Sequence, residues 1–365
     1  MKKQPAKMIY PRLGMVFALL GTVAILFLPE LWLPLCLTAN VFLAAGAVCG
    51  TEVKTVTRSN PMAKFSEDAP ETIQGQVFRV PFLPILLGSA VAVAVGIIQG
   101  SVIAGVLTFF TWGGLSYPLA LCVLSRGDLN ASLQVGLASA SVVTLLGTAL
   151  QIWLTSPGWT FQPRYCYELI SKAIVPDLEK VLSVALESGI ITETGFQAAF
   201  GKVSVGAAAQ TMLNSALVTL PAVIAVILLL TLCVLWFGIK AALKRDASVE
   251  IKHMGRLDGY QPARALSPIY LISVLLSLFS QGNSVIQISA TNAMYVLSAV
   301  LMFAGFSLIL YIINTRAPSA VARVFLVIGT VITACSSCGS SLLVLLGLMS
   351  IGRDMRGGFG GGTLY

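Results

Sequence analysis

Charge is what this sequence has least of. Asp, Glu, Lys and Arg make up 10% of its 365 residues, where a soluble domain carries about 25%. The apolar stretches at 13–29, 31–51, 80–125, 129–154, 203–239, 265–315 and 324–352 contain no Asp, Glu, Lys, Arg or His. Ionisable groups inside a membrane mark proton relays and ion pathways, so their absence argues against a proton- or voltage-coupled carrier. Histidine is almost missing. The single His253 excludes a catalytic or metal-binding system built on several histidines. No Gly-x4-Gly-Lys-Ser/Thr phosphate loop is present, so the chain does not itself bind ATP by that means. Gly-x-Ser-x-Gly and His-Glu-x-x-His are missing as well. The cysteine count is seven, an odd number, and the cysteines sit mostly within apolar stretches, which argues against a disulfide framework.

What is present is apolar. Hydrophobic residues reach 56% and the mean hydropathy is +0.88, the composition of a polytopic membrane protein. The net charge of +8 reads as the excess of Lys and Arg in cytoplasmic loops, with no nucleic-acid partner implied. The stretch 203–239 organises the chain. It is long enough for one span of about 20 residues with a lead-in. Lys240, Lys244, Arg245, Lys252, Arg256 and Arg264 follow it directly. Basic residues beside a span stay in the cytoplasm, and Lys2, Lys3, Lys7 and Arg12 place the N-terminus there too. The N-terminal Met1-Lys-Lys and its apolar run imitate a signal peptide. No small-residue cleavage site follows Leu28, so the run is expected to remain as a span.

Charge-free stretches give the expected organisation. Residues 1–155 form an N-terminal five-helix membrane part with a cytoplasmic loop at 52–79. Pro61 and Pro70 make that loop a linker of low order. Residues 156–202 form an extracytoplasmic amphipathic segment. Pro176 and Asp177 open a helix there, Gly189 stops it, and Thr194 with Gln197 forms a capping box for the next. Residues 203–365 form a C-terminal membrane part with the basic cytoplasmic loop 240–264. The fold expected is an all-α polytopic transmembrane bundle of eight spans. A ninth hydrophobic element at 324–352, interrupted by Ser336-Ser-Cys-Gly-Ser-Ser341, either spans or re-enters.

Candidate site residues are neutral. Asn214, Gln287, Asn292 and Gln99 are the amides that could line a substrate site, although such groups also join helices by hydrogen bonds. Gly88, Ala92, Gly96 and Gly100 recur every four residues and offer a face for close helix packing, as does Gly305. Cys335-Ser-Ser-Cys338 has redox spacing but no neighbouring His or acid, and reads as small-residue packing or a broken-helix tip. No catalytic residue, metal site or cofactor is expected.

Three places in the C-terminal third carry a family likeness. Asn292 precedes Gly305-Phe306-Ser307 in a span that ends in basic residues, Leu266 and Pro268 open a span after a basic stretch, and the chain closes on Gly347-Leu348-Met349-Ser350-Ile351-Gly352-Arg353-Asp354-Met355-Arg356. These resemble the YybS-like family of predicted bacterial multi-pass membrane proteins over roughly 83–356. Gly347, Asp354 and Arg356 fit the family's closing motif, Ser350 stands where that motif has its first Asp, and Gly352 and Arg353 replace its usual aromatics. The family's N-terminal part is distantly similar to substrate-binding subunits of energy-coupling-factor transporters, a likeness of fold that does not establish function. Those subunits dock a partner through small residues on their first helix, and Gly14, Ala18 and Thr22 form a similar row. The resemblance implies a bacterial inner-membrane protein.

The function expected is a non-enzymatic, permease-like substrate-binding subunit for a small molecule, dependent on a partner for energy. The partners are then the lipid bilayer and a coupling ATPase module or other membrane proteins. The alternative is a scaffold or assembly factor recruiting partners through loop 240–264 and the external helices.

Overall fold

The computed structural model describes residues 5–59, 72–244, 254, 257–279, 284–317, 319–334 and 336–352. Among them are thirteen α-helices and one two-stranded ladder. Six helices are long and apolar enough to cross a bilayer: the segments Ile9–Phe27, Pro29–Gly50, Val102–Leu124, Leu129–Thr155, Val205–Leu243 and Ile286–Arg316. Two expected spans are shorter apolar helices, α3 (Leu83–Gln99) and α10 (Leu266–Phe279), of 17 and 14 residues. The ninth element is two helices, α12 (Ala320–Ala334) and α13 (Ser337–Gly352), bent by 108° between them. The protein is therefore a multi-pass helical membrane protein with six such spans, or seven if the bent pair counts as one.

The loop 52–79 is more ordered than expected. Strand β1 (Glu52–Ser59) pairs antiparallel with β2 (Thr72–Arg79), Glu52 opposite Arg79 and Ser59 opposite Thr72. Pro61 and Pro70, which suggested a linker of low order, lie outside the described residues. The membrane part is helical throughout, and this hairpin is its one departure from all-α among the described residues.

The chain divides into two compact units. In one, α1 (Pro5–Phe27) packs on α2 (Trp32–Gly50). A third span follows, built of α4 (Val102–Phe109) and α5 (Ser116–Leu124) around a break at Phe110–Gly114. Gly113 has φ 109°, a conformation that favours glycine. A broken helix in lipid leaves backbone groups without helical partners; one side chain meets that need here, and two more brace the break. Asn40 Nδ2 donates to the Phe110 carbonyl at 2.8 Å. Trp32 Nε1 donates to Thr111 Oγ1 at 2.8 Å, and Trp112 Nε1 to Thr22 Oγ1 at 3.0 Å. Ala18, Ala39, Leu43 and Trp112 form the buried core around the break.

In the other unit, α7 (Pro163–Glu187), α8 (Glu193–Phe200) and the start of α9 (Val205–Leu243) bury Leu182, Phe196, Ala208 and Ala209 together. Pro176 does not open a helix. It lies inside α7, which begins at Pro163, where a proline in the first turn leaves no extra donor unpaired. The cap of α8 is Thr192, whose Oγ1 accepts from Gly195 N–H at 3.1 Å, not Thr194. Gly189, with φ 72°, follows the end of α7 as expected. Helix α9 has 39 residues, about 58 Å at 1.5 Å per residue, against a hydrocarbon layer of about 30 Å.

The same unit holds α11 (Ser284–Arg316) packed against α13. A Cβ added at Gly305 would collide with the Leu343 carbonyl, and one added at Gly347 with the Leu301 carbonyl. The two helices therefore run antiparallel, with their backbones in contact. Replacing Gly347 by Val should lower stability by about 1–3 kcal/mol through overpacking, whereas Gly329→Val, with nothing within 4 Å of its would-be Cβ, should be nearly neutral. Thermal unfolding of the two detergent-purified variants checks this, and equal losses would refute the backbone contact.

Candidate functional site

The site grows from a proline. Pro221 lies inside α9 and has no N–H to give the Leu217 carbonyl, and its ring crowds the preceding turn. Asn292 of α11 reaches that turn. Its Nδ2 donates to the Val218 carbonyl at 2.8 Å, and its Oδ1 accepts from Ala222 N–H at 3.2 Å. Ala222 N–H and Val218 C=O are donor and acceptor one step beyond the helical bond that proline removes. The carboxamide thus splices α9 at its weak turn. Its second proton goes to the Ile288 carbonyl at 3.0 Å.

Next to this splice lies a cavity of about 800 Å³, walled by α9, α10, α11 and α13. Thr219, Tyr270, Tyr295, Ser298, Ser340 and Ser341 bring hydroxyls to its lining, while Val226, Ile227, Met302, Leu345 and Leu348 are among its apolar lining residues. No Asp, Glu, Lys, Arg or His lines it among the described residues. Ser277 Oγ and Thr291 Oγ1, 3.1 Å apart, tie α10 to α11 on this side of the cavity. The volume falls in the range, about 300–1,000 Å³, of pockets that enclose a small organic molecule. The lining can bind by apolar contact and neutral hydrogen bonds. It offers no side chain for acid–base chemistry near neutral pH.

The expected site residues are placed as follows. Asn292 is at the cavity's edge but has its polar atoms engaged by backbone, so it shapes the wall. Asn214 accepts a 2.6 Å hydrogen bond from Tyr167 OH, which in turn accepts one from Gln210 Nε2 at 2.6 Å. Ser171 adds a bond to Gln210 at 3.0 Å. That network joins α7 to α9 and is apart from the cavity lining. Gln287 is an exposed residue of α11 and does not line the cavity. Gln99, the last residue of α3, lines a separate cavity of about 270 Å³ in the first unit, with Trp32 and Ser101.

Gly88 faces Trp112, and Ala92 and Gly96 lie against Gly105, so these three pack α3 on the broken span. Gly100 leaves the stripe. It caps α3 in a left-handed conformation, φ 61°. Gly305 and Gly347 make the α11–α13 contact, while Asp354, Arg356, His253 and Cys335 lie outside the described residues. Cys338 is exposed. No group of three His, Cys, Asp or Glu side chains gathers among the described residues.

One position escaped sequence reading, and another was noted there only as part of a motif. Pro221 was hidden in an apolar run, although a proline in mid-span calls for an outside donor or acceptor. Ser307 is buried, its Oγ 2.6 Å from the Leu257 carbonyl and 3.2 Å from that of Tyr260. With Asn314 donating to Asp258 at 2.9 Å, it fixes the turn Leu257–Gly259 on α11. Conversely, the row Gly14, Ala18 and Thr22 is spent internally. Gly14 meets Leu43, Ala18 is fully buried and Thr22 accepts from Trp112.

Asn292→Leu strands Ala222 N–H and Val218 C=O and should cost about 1–3 kcal/mol. In a Pro221→Ala background the helix can close its own bonds, so the penalty should shrink by about 1 kcal/mol or more. A double-mutant cycle on thermal unfolding reads the coupling, and strict additivity would show that the amide does not serve the proline turn.

A family model described as a predicted membrane protein, DUF2232, matches residues 81–349. The matched stretch covers most of the region that carried the sequence resemblance. No curated protein and no solved structure matches the chain.

Proposed function

The chain belongs to DUF2232, a family of predicted membrane proteins whose match covers most of the sequence, and on that premise we propose that it is a non-enzymatic, permease-like subunit that binds a small molecule. The observation that carries this is the cavity of about 800 Å³ among α9, α10, α11 and α13, lined by hydroxyls and apolar groups without a charge. A lining of that chemistry supports binding by apolar contact and neutral hydrogen bonds. The chain shows no nucleotide-binding loop, so movement of the ligand would draw energy from a partner. The likeness of the N-terminal part to energy-coupling-factor subunits agrees with an ATPase pair in that role. The buried row Gly14, Ala18 and Thr22 then directs the search for docking to other surfaces. Lys240 in the last turn of α9 and Arg316 in that of α11 favour a cytoplasmic location for both helix ends. The proposal puts the N-terminus on the same side, in a bacterial inner membrane, as Lys2, Lys3, Lys7 and Arg12 suggest.

Mild-detergent affinity purification from the native host, with mass spectrometry of proteins and small molecules, tests the reading. A retained small molecule should be recovered from the native protein. Its amount should fall about tenfold, the equivalent of about 1.4 kcal/mol, in Ala299→Trp, which fills the cavity from α11. An empty native protein that carries envelope or biosynthetic proteins instead would replace this reading with that of a scaffold.

A further inference from the structure

The cavity's layout narrows what enters it. We infer that its occupant is an uncharged amphiphile, elongated and mostly apolar, with a hydroxyl or carbonyl group at each end, that arrives from the bilayer; this rests on the reading of the cavity as a ligand site.

The polar lining is sorted along the slot. Thr219 and Tyr295 each lie within one turn of the Asn292 splice, at one end. Ser340 and Ser341 mark the other end. Gly347 meets Leu301 and Gly305 meets Leu343, so going back along α13 from Leu343 leads past Gly305, away from Tyr295. From Tyr295 to the level of the two serines is roughly 20 Å along α11, three to four turns. Ser298 lies one turn of α11 on from Tyr295 and Tyr270 adds a hydroxyl from α10, and beyond Ser298 the walls include Val226, Ile227, Met302 and Leu345. A molecule that matches this carries its hydrogen-bonding groups apart, with an apolar body between them.

Two further observations fix charge and route. The described lining has no Asp, Glu, Lys, Arg or His to balance an ion, and an unpaired charge in apolar surroundings loses its hydration without compensation. Val223, Ile227 and Leu345 line the cavity yet are 49%, 54% and 58% exposed. Val223 and Ile227 belong to the membrane-crossing helix α9. A mouth rimmed by bare aliphatic side chains on a span admits a molecule dissolved in lipid more readily than a hydrated one.

The experiment uses the full chain in phosphatidylcholine nanodiscs and two photoreactive probes. One is an alcohol, a diazirine-bearing hexadecane-1,16-diol; the other is a 16-hydroxyhexadecane sulfonate with the diazirine at the same carbon. Cross-linked peptides are mapped by mass spectrometry, with Leu146 of the span Leu129–Thr155, 66% exposed, as the lipid-facing reference. The alcohol should label residues 223–227 and 344–348 above the reference, and the sulfonate should label them about tenfold less. Labelling by the alcohol should collapse to the reference in Ala299→Trp, and in Val226→Trp should the first variant not fold. Equal or stronger labelling by the sulfonate would overturn the uncharged class while leaving the cavity a ligand site. Labelling of the lining at the reference level by both probes would overturn the site itself, and the proposed function with it.

Discussion

Water is missing where most of this chain lies, and the structure is arranged around that lack. A backbone N–H or C=O freed inside hydrocarbon has no solvent to turn to. At three such places a neutral side chain from another element stands at the gap. Asn40 serves Phe110, Asn292 serves the turn at Pro221, and Ser307 serves the carbonyls of Leu257 and Tyr260. Amides and hydroxyls suit this task because they bond without bringing a charge that would itself need a partner. The same preference explains a cavity furnished with hydroxyls alone. Asn40 marks the limit of the arrangement: its Oδ1 is buried with no bonding partner, although its Nδ2 is fully engaged.

Small residues set where the helices meet. Gly88, Ala92 and Gly96 let α3 lie close to the third span, and Gly305 with Gly347 lets α11 touch α13. Elsewhere on α11 larger side chains hold its neighbours off. The cavity occupies the space on the face of α11 that carries Tyr295, Ser298 and Met302.

Much of this was legible in the sequence and some was not, for physical reasons. Charge-free runs located the six helices that are long and apolar enough to cross among the described residues, because excluding charge is a condition of crossing. They could not say how long each helix would be, so α3 and α10 came out short. The hairpin at 52–79 was missed because two prolines and mixed charge outweighed the alternating Val53, Thr55, Val56 and Thr57. Pro176 was misread in the opposite sense, since tertiary packing by Leu178, Leu182 and Leu186 carries α7 through it. Amides could be recognised in sequence but not sorted. Asn292, Asn214 and Gln287 look alike there, yet one splices a helix, one joins a network and one faces outward. Partner geometry makes the difference, and it is a property of the fold alone.

The α11–α13 contact has a thermal consequence. Where two glycines meet carbonyls, the interface is made of backbone, which has no rotamers to lose on assembly and none to regain on warming. Its attraction comes from dispersion and Cα–H···O contacts and not from the ordering of water. The wall of the cavity built on α11 and α13 is accordingly its stiff side. If the cavity holds a ligand as proposed, adjustment to its girth falls to α9, whose proline turn is held by one amide, and to the short α10.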